Sequence, residues 1–213
     1  MVSSDTASAV PGISMARILR PSAIAIVGAS ADPRSFGGFV QGNLERSGYT
    51  GALHLVSRNS TEINGRPCFK TIDELPAGID LAVLAIPEAG VLDAVRSLAA
   101  RQCHAAVLFA SGYAEAGEDG QTRQAELGQV ARTAGIALVG PNCMGFSNLA
   151  AGIPVTFEPL AARPPETRPG VGIVAQSGFM AANLRDALIG RGVPVRCVFS
   201  TGNEVSVCVE DVL

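Results

Sequence analysis

Glycines, small hydroxyls and a helix start are crowded into the stretch from Ser22 to Gly38, SAIAIVGASADPRSFGG, and together these residue types suit an anion site. Ser22 to Val27 is an apolar, β-branched run of strand length that stops on Gly28. Ala29, Ser30 and a polar turn follow, and Gly37 and Gly38 open a segment, Phe39 to Ser47, whose apolar spacing predicts a helix. A strand, a glycine turn and a helix N-terminus present backbone N–H groups to a phosphate. The dinucleotide fingerprint G-x-G-x-x-G is not met, because Ser30 stands where the second glycine belongs. An ordinary β–α turn is the alternative reading of the same residues.

Four more strand ends carry small or polar residues: Ser57-Arg58, Ile86-Pro87-Glu88, Ser111-Gly112 and Asn142-Cys143. In an open parallel sheet the ligand lies outside the carboxyl ends of the strands, so these residues predict a binding rim. Turn chemistry alone would also gather Gly, Ser and Pro there. The second strand end bears on the ligand class. A ribose 2′-hydroxyl asks for an acid, yet the residues are Ser57 and Arg58, with no acid before Glu62. Arg58 suits a phosphate clamp instead, which favours NADP or coenzyme A over NAD; a solvated surface arginine is the alternative. Further on, Gln176-Ser177-Gly178 lies between a predicted strand and a predicted helix and repeats the anion logic. A nucleophile elbow would need glycine at Ala175, so serine hydrolysis is not indicated. His54 is expected to be structural and His104 exposed, and neither neighbours a nucleophile or a metal-ligand cluster.

The elements that must position this rim follow from composition and pattern. The 213 residues are 47% apolar and 16% charged, which predicts a large buried core. Aromatics are only 5% and Trp is absent, as in parallel α/β cores built from Val, Ile, Leu and Ala. A net charge of −3 without Lys/Arg clusters speaks against nucleic acid. Five widely spaced cysteines with no C-x-x-C suit reduced thiols in a cytoplasmic protein, with neither disulfides nor a metal site expected. The first twenty residues carry no apolar signal core and read as a frayed tail, and no run of about 18 apolar residues predicts a membrane span.

Strands are predicted at 52–56, 81–86, 105–109 and 136–139, with helices at 88–101 and 119–134. This alternation calls for an α/β fold with a doubly wound parallel sheet. Residues 149–170 hold five prolines and read as an inter-domain linker. Strand, helix and strand then recur at 171–175, 178–191 and 195–200. Two strands do not bury a core by themselves, so further chain or a partner is expected to complete the second unit.

Read together, LRPSAIAIVGAS with the following Gly-Gly, GRPCFKTIDELPAGIDLAVLAIP, SGYAEAGEDG, LVGPNCMGFSN, GIVAQSG and STGNE resemble the NDP-forming (ADP-forming) acyl-CoA synthetases and, more distantly, the α subunit of succinyl-CoA synthetase. The resemblance covers Ile18 to the end. It implies a tail over 1–15, a Rossmann-like CoA-binding domain over 16–148, the linker, and the start of a flavodoxin-like domain over 171–213. It implies CoA contacts at Gly28, Ala29, Ser30, Gly37, Gly38, Ser57, Ile86, Pro87, Ser111 and Gly112, with Asn142 and Cys143 near the thiol. Gln176, Ser177 and Gly178 would help hold the phosphate of a phosphohistidine. Many members carry Asn-Pro where this chain has Ser57-Arg58, which alters the adenosine end. The phosphorylated histidine matches no position here, so no catalytic residue is assigned. ATP or ADP, Mg and the ATP-grasp domain or subunit would come from elsewhere, as would completion of the site for a small carboxylic acid. A non-catalytic CoA or acyl-CoA sensor and an NADP-binding oxidoreductase fragment are the other readings.

Overall fold

The computed structural model describes residues 13–213, so residues 1–12 of the expected tail lie outside the described residues. Helix α1, Met15–Leu19, is capped by Ser14, and Ile18 is fully buried. His104, expected to be exposed, is half-buried and accepts the Ser14 N–H on Nε2 at 3.1 Å, which ties α1 to the domain.

Five strands form a parallel core: β1 (Ala23–Val27), β2 (Ala52–Val56), β5 (Leu81–Leu84), β6 (Ala105–Leu108) and β7 (Ala137–Val139). Between β2 and β5 lies a tight hairpin of β3 (Glu62–Ile63) and β4 (Arg66–Phe69) that turns on Asn64-Gly65. Both turn residues have positive φ, the geometry that Asn-Gly supplies in a two-residue hairpin. The sheet order is β3-β4-β2-β1-β5-β6-β7. Strand order reverses between β1 and β5, which opens a crevice above their carboxyl ends.

Burial on both faces explains the near-continuous apolar strands. Ile24, Ile26, Val83 and Val107 point to one side, and Ala25, Val27, Leu84 and Leu108 to the other. The second side is covered by α3 (Val91–Ala100) and α4 (Glu118–Ala134) through Val95, Leu98, Leu127 and Ala131. The first is covered by α2 (Phe36–Arg46) and by a second sheet.

That second sheet changes the picture of residues 146–213. It contains β8 (Phe146–Asn148), β9 (Ile153–Val155), β10 (Val171–Ala175) and β11 (Val195–Ser200), in the order β10-β11-β8-β9. Part of the segment read as linker is therefore a buried strand. Pro154 is tolerated because β9 lies at the sheet edge. Phe146 and Phe199 stack across paired strands with centroids 5.6 Å apart, and both are buried in the shared core. Helix α5 (Gly178–Gly190) packs on β10 and β11, and residues 205–207 run along β7 before the short α6 (Val209–Val212). The Val205 and Val207 N–H groups donate to Gly140 and Leu138, which covers an otherwise open sheet edge. No helix among the described residues is long and apolar enough to cross a membrane.

One carboxylate fixes where β1 enters the sheet. Asp80 accepts from the Ser22 N–H at 2.8 Å, the Ser22 hydroxyl at 2.5 Å and Arg17 Nε at 2.7 Å. Partial burial pushes this carboxyl up, but the bonds from Ser22 and Arg17 outweigh it and hold it below its ordinary value of 3.8. A depressed folded value means the carboxylate's contribution is full above the unfolded value and fades as pH falls through the folded one. Asp80→Asn is expected to lower stability at pH 7 by about 1–3 kcal/mol, with the deficit shrinking below about pH 4. Urea melts at the two pH values check this, and a deficit independent of pH would contradict it.

Candidate functional site

The carboxyl ends of the parallel strands form one continuous rim, and the first turn sits at its centre. Gly28 has φ +89°, and a Cβ there would fall 2.3 Å from the carbonyl oxygen of Ala85, the residue after β5. The N–H groups of Gly28 and Ala29 both donate to the Val56 carbonyl at 3.1 Å, so they are not offered to a ligand. This corrects the expectation that the turn itself presents its amides.

Helix α2 begins at Phe36, three residues earlier than predicted, with Ser35 as its cap. Ser35 Oγ accepts from Gly38 N at 3.0 Å. The N–H groups of Phe36 and Gly37 have no protein acceptor among the described residues and form the helix N-terminus nearest the crevice. Gly37 and Gly38 are buried, and a Cβ on them would fall 2.4 Å from the Gly28 carbonyl and 2.1 Å from the Asp32 carbonyl. The absence of a side chain at both thus permits close helix–turn packing. Ser30 Oγ accepts from Asp32 N at 3.1 Å. Asp32 pairs with the exposed Arg34, whose backbone and side-chain donors lower its carboxyl.

Ser57 is buried behind β2, whereas Arg58 is exposed and has no ion pair among the described residues. Lys70, just past β4, joins it: Nζ donates to the Ser60 carbonyl at 3.2 Å and the Arg58 carbonyl at 3.4 Å. Sequence reading missed Lys70 because the parallel pairing of β4 with β2 is what brings it there. On the other side of Gly28, Ile86 packs against the turn and Pro87 is exposed.

At the end of β6, Ser111 is exposed, but both backbone groups of Gly112 are occupied. Its N–H donates to Glu115 Oε1 at 2.6 Å and its carbonyl accepts from Arg123 Nη2 at 2.8 Å. Partial burial pushes the Glu115 carboxyl up, yet donors from Asn203 and the Gly112 and Tyr113 amides leave it lowered overall. Asn142 is exposed at φ +53° and donates its N–H to Ala110. Cys143 is buried, its Sγ 3.3 Å from the Leu108 carbonyl, and burial pushes the thiol up to about 12. Of this pair only Asn142 offers a surface group.

The second glycine turn closes on the same rim. Ser177 caps α5, and the Gly178 and Phe179 N–H groups have no protein acceptor among the described residues. A Cβ on Gly178 would fall 2.3 Å from Met144 Cγ, so the turn rests on the loop after Asn142. Gly202 N donates to the Gln176 carbonyl and Asn203 N to the Pro141 carbonyl. Asn203 Nδ2 also reaches Gln124 Oε1 at 2.9 Å and Glu115 Oε2 at 2.5 Å, locking this turn to the first sheet. From β4 to β7 the rim crosses five strand spacings, about 24 Å.

An open groove of about 550 Å³ along α2 includes Ser30 and Gly38. A cavity of about 380 Å³ between α2, α5 and residues 158–168 contains none of the predicted residues. Among the described residues no group of three or more His, Cys, Asp or Glu side chains is placed to hold a metal ion, and all five cysteines are unpaired.

Residues 22–148 match the family described as CoA binding domain. The chain is 42% identical over 196 residues to a trans-feruloyl-CoA synthase from an unidentified prokaryote, covering 92% of this chain and 28% of that protein. It is 29% identical to the α subunit of an ADP-forming acetate–CoA ligase I of Pyrococcus furiosus, covering 94% of this chain and 44% of the subunit. The apo structure of a dinucleotide forming acetyl-coenzyme A synthetase 1 from Ca. Korarchaeum cryptofilum superposes with a TM-score of 0.83 at 28% identity, covering 93% of this chain and 42% of that one. The chain thus spans less than half the length of each.

Proposed function

The chain belongs to the CoA binding domain family, and from that premise we propose that it is the CoA-binding portion of an ADP-forming acyl-CoA synthetase. The overall reaction joins a carboxylate to CoA as ATP becomes ADP and phosphate, and CoA supplies the thiol nucleophile. The observation that carries this reading is the rim itself, with cations at one end and an open helix N-terminus at the other.

Arg58 and Lys70 would hold the 3′-phosphate of CoA, the only strongly charged group at the adenosine end besides the diphosphate. The diphosphate would lie on the Phe36 and Gly37 amides beside Gly28, Ala29 and Ser30, where the α2 dipole favours negative charge. Ile86, Pro87, Ser111 and Gly112 would line the pantetheine arm, and Asn142 would meet its thiol end. Gln176, Ser177 and Gly178 would hold a phosphate next to that thiol, using the free amides of α5. Residues 171–213 would belong to a flavodoxin-like unit. The phosphohistidine, the ATP-grasp domain or subunit, and the Mg–nucleotide they handle would belong to other chain or to a partner. Association is expected on the same ground.

Calorimetric titration with CoA, dephospho-CoA and NADP tests the proposal. CoA is expected to bind, and NADP to leave that binding unaffected. Removing the 3′-phosphate deletes charge-assisted hydrogen bonds and should weaken affinity by about 1.5–3 kcal/mol, roughly tenfold or more. Equal affinities for CoA and dephospho-CoA would remove Arg58 and Lys70 from the clamp. Folded protein that does not bind CoA would end the proposal.

A further inference from the structure

Three phenylalanine rings from distant parts of the chain meet beside the thiol end of the rim. Phe36 is the first residue of α2, Phe109 directly follows β6, and Phe157 lies two residues past β9. Phe36 and Phe157 stack with centroids 4.5 Å apart and planes at 24°. Phe109 stands edge-on to both, at 6.0 Å from Phe36 and 5.0 Å from Phe157. Phe109 is buried and anchors the cluster, yet Phe36 remains 45% exposed. An apolar ring at the first helical position does nothing for capping, so its half-open placement has another cause.

Short links join this cluster to the reacting end of the rim. The backbone of Gly145 passes against Phe109, where a Cβ would fall 3.1 Å from Cε1. The preceding residue, Met144, supports Gly178 of the second glycine turn. Asn142 is two residues earlier in the same loop. An acyl carbon placed between the thiol near Asn142 and a phosphate on Gly178 therefore lies beside Met144, whose neighbour Gly145 backs onto Phe109, the ring that joins Phe36 and Phe157.

We propose that Phe36, Phe157 and Phe109, with Met144, receive the acyl group, and that they select an aromatic carboxylate over a short aliphatic one. The inference rests on the acyl-CoA synthetase reading. Aromatic rings gain from offset and edge-to-face contact beyond what area burial gives. An acetyl group is too small to cover the exposed part of Phe36, whereas an aryl ring extends the Phe36–Phe157 stack by one member.

The test titrates the chain with CoA, acetyl-CoA and benzoyl-CoA, and repeats the series on Phe36→Leu and Phe157→Leu. Benzoyl-CoA is expected to bind about three- to tenfold more tightly than acetyl-CoA. Either substitution should bring the two thioesters together, and the CoA affinity of Phe157→Leu, a residue outside the proposed CoA contacts, serves as the internal reference for an intact site. Equal affinity of the two thioesters for the unsubstituted chain overturns the inference, as does a preference that survives both substitutions. CoA binding without aryl preference ends this inference alone, whereas loss of CoA binding in the unsubstituted chain ends the function reading with it.

Discussion

Gly28→Ala is expected to destabilise the chain by about 3 kcal/mol or more and to abolish CoA binding. Two costs combine. A non-glycine residue at φ +89° is strained by roughly 1–2 kcal/mol. The added Cβ would also sit 2.3 Å from the carbonyl of Ala85, which directly follows β5 and is held there by its N–H donating to the Val27 carbonyl. Neither β1 nor β5 has a flexible side chain there that can give way, so the turn must move. Moving it displaces the Val56 acceptor contacts and the start of α2, because Gly37 packs so closely on the Gly28 carbonyl that a Cβ there would fall 2.4 Å from it. For a domain of this length the melting temperature should fall by about 6–12 °C. Thermal melts and CoA titration check both parts. An unchanged melting temperature would show that the turn relaxes at little cost.

The second large effect lies away from the rim. Glu158, just past β9, forms a two-pronged pair with Arg185 of α5, with both N···O distances at 2.6 Å. The Arg185 side chain is only 8% exposed. Asn43 of α2 holds the same stretch from the other side, donating to the Thr156 carbonyl at 2.9 Å and the Glu158 carbonyl at 2.7 Å. Glu158→Ala leaves a buried guanidinium with Asp186 as its remaining carboxylate partner, at 2.9 Å. Loss of one member of a buried pair costs about 3–5 kcal/mol, and the surviving Asp186 contact places this case at the lower end. Replacing both members, Glu158→Leu with Arg185→Met, should recover most of that loss, because two desolvated charges vanish together. Denaturant melts of the single and double variants provide the comparison. A double variant as unstable as the single one would show that the pair contributes attraction well above its desolvation cost.

Much of the architecture is written locally. The runs 23–27, 81–84 and 105–108 are apolar at every position, a pattern that only a strand covered on both faces requires, and all three lie in the middle of the parallel sheet. The alternation with helices dictates the doubly wound order, and the small residues after each strand mark the carboxyl ends where the rim forms. Gly28 was identifiable because its position ends a strand and demands positive φ. The β3–β4 hairpin was also legible, in Asn64-Gly65, though it reads as a loop unless the two-residue turn is given weight.

Other features depend on partners far away in sequence. Gly37 and Gly38 look like phosphate-facing residues, and the approach of α2 to the first turn adds a second reason for their lack of side chains, close packing on the Gly28 and Asp32 carbonyls. The Gly28 and Ala29 amides look available until β2 is placed beside them, where Val56 accepts both. Cys143 follows a strand like any rim residue, yet its buried thiol faces inward to the Leu108 carbonyl. The proline-rich stretch carries β9 because antiparallel pairing with β8 gives an edge position that tolerates Pro154. Lys70 reaches the rim through β4, and the three phenylalanines meet only because the second sheet packs beside α2. Periodicity reports which way a side chain faces within its own element; which residues from separate elements share a site is fixed by strand register and layer packing, and those are properties of the folded chain alone.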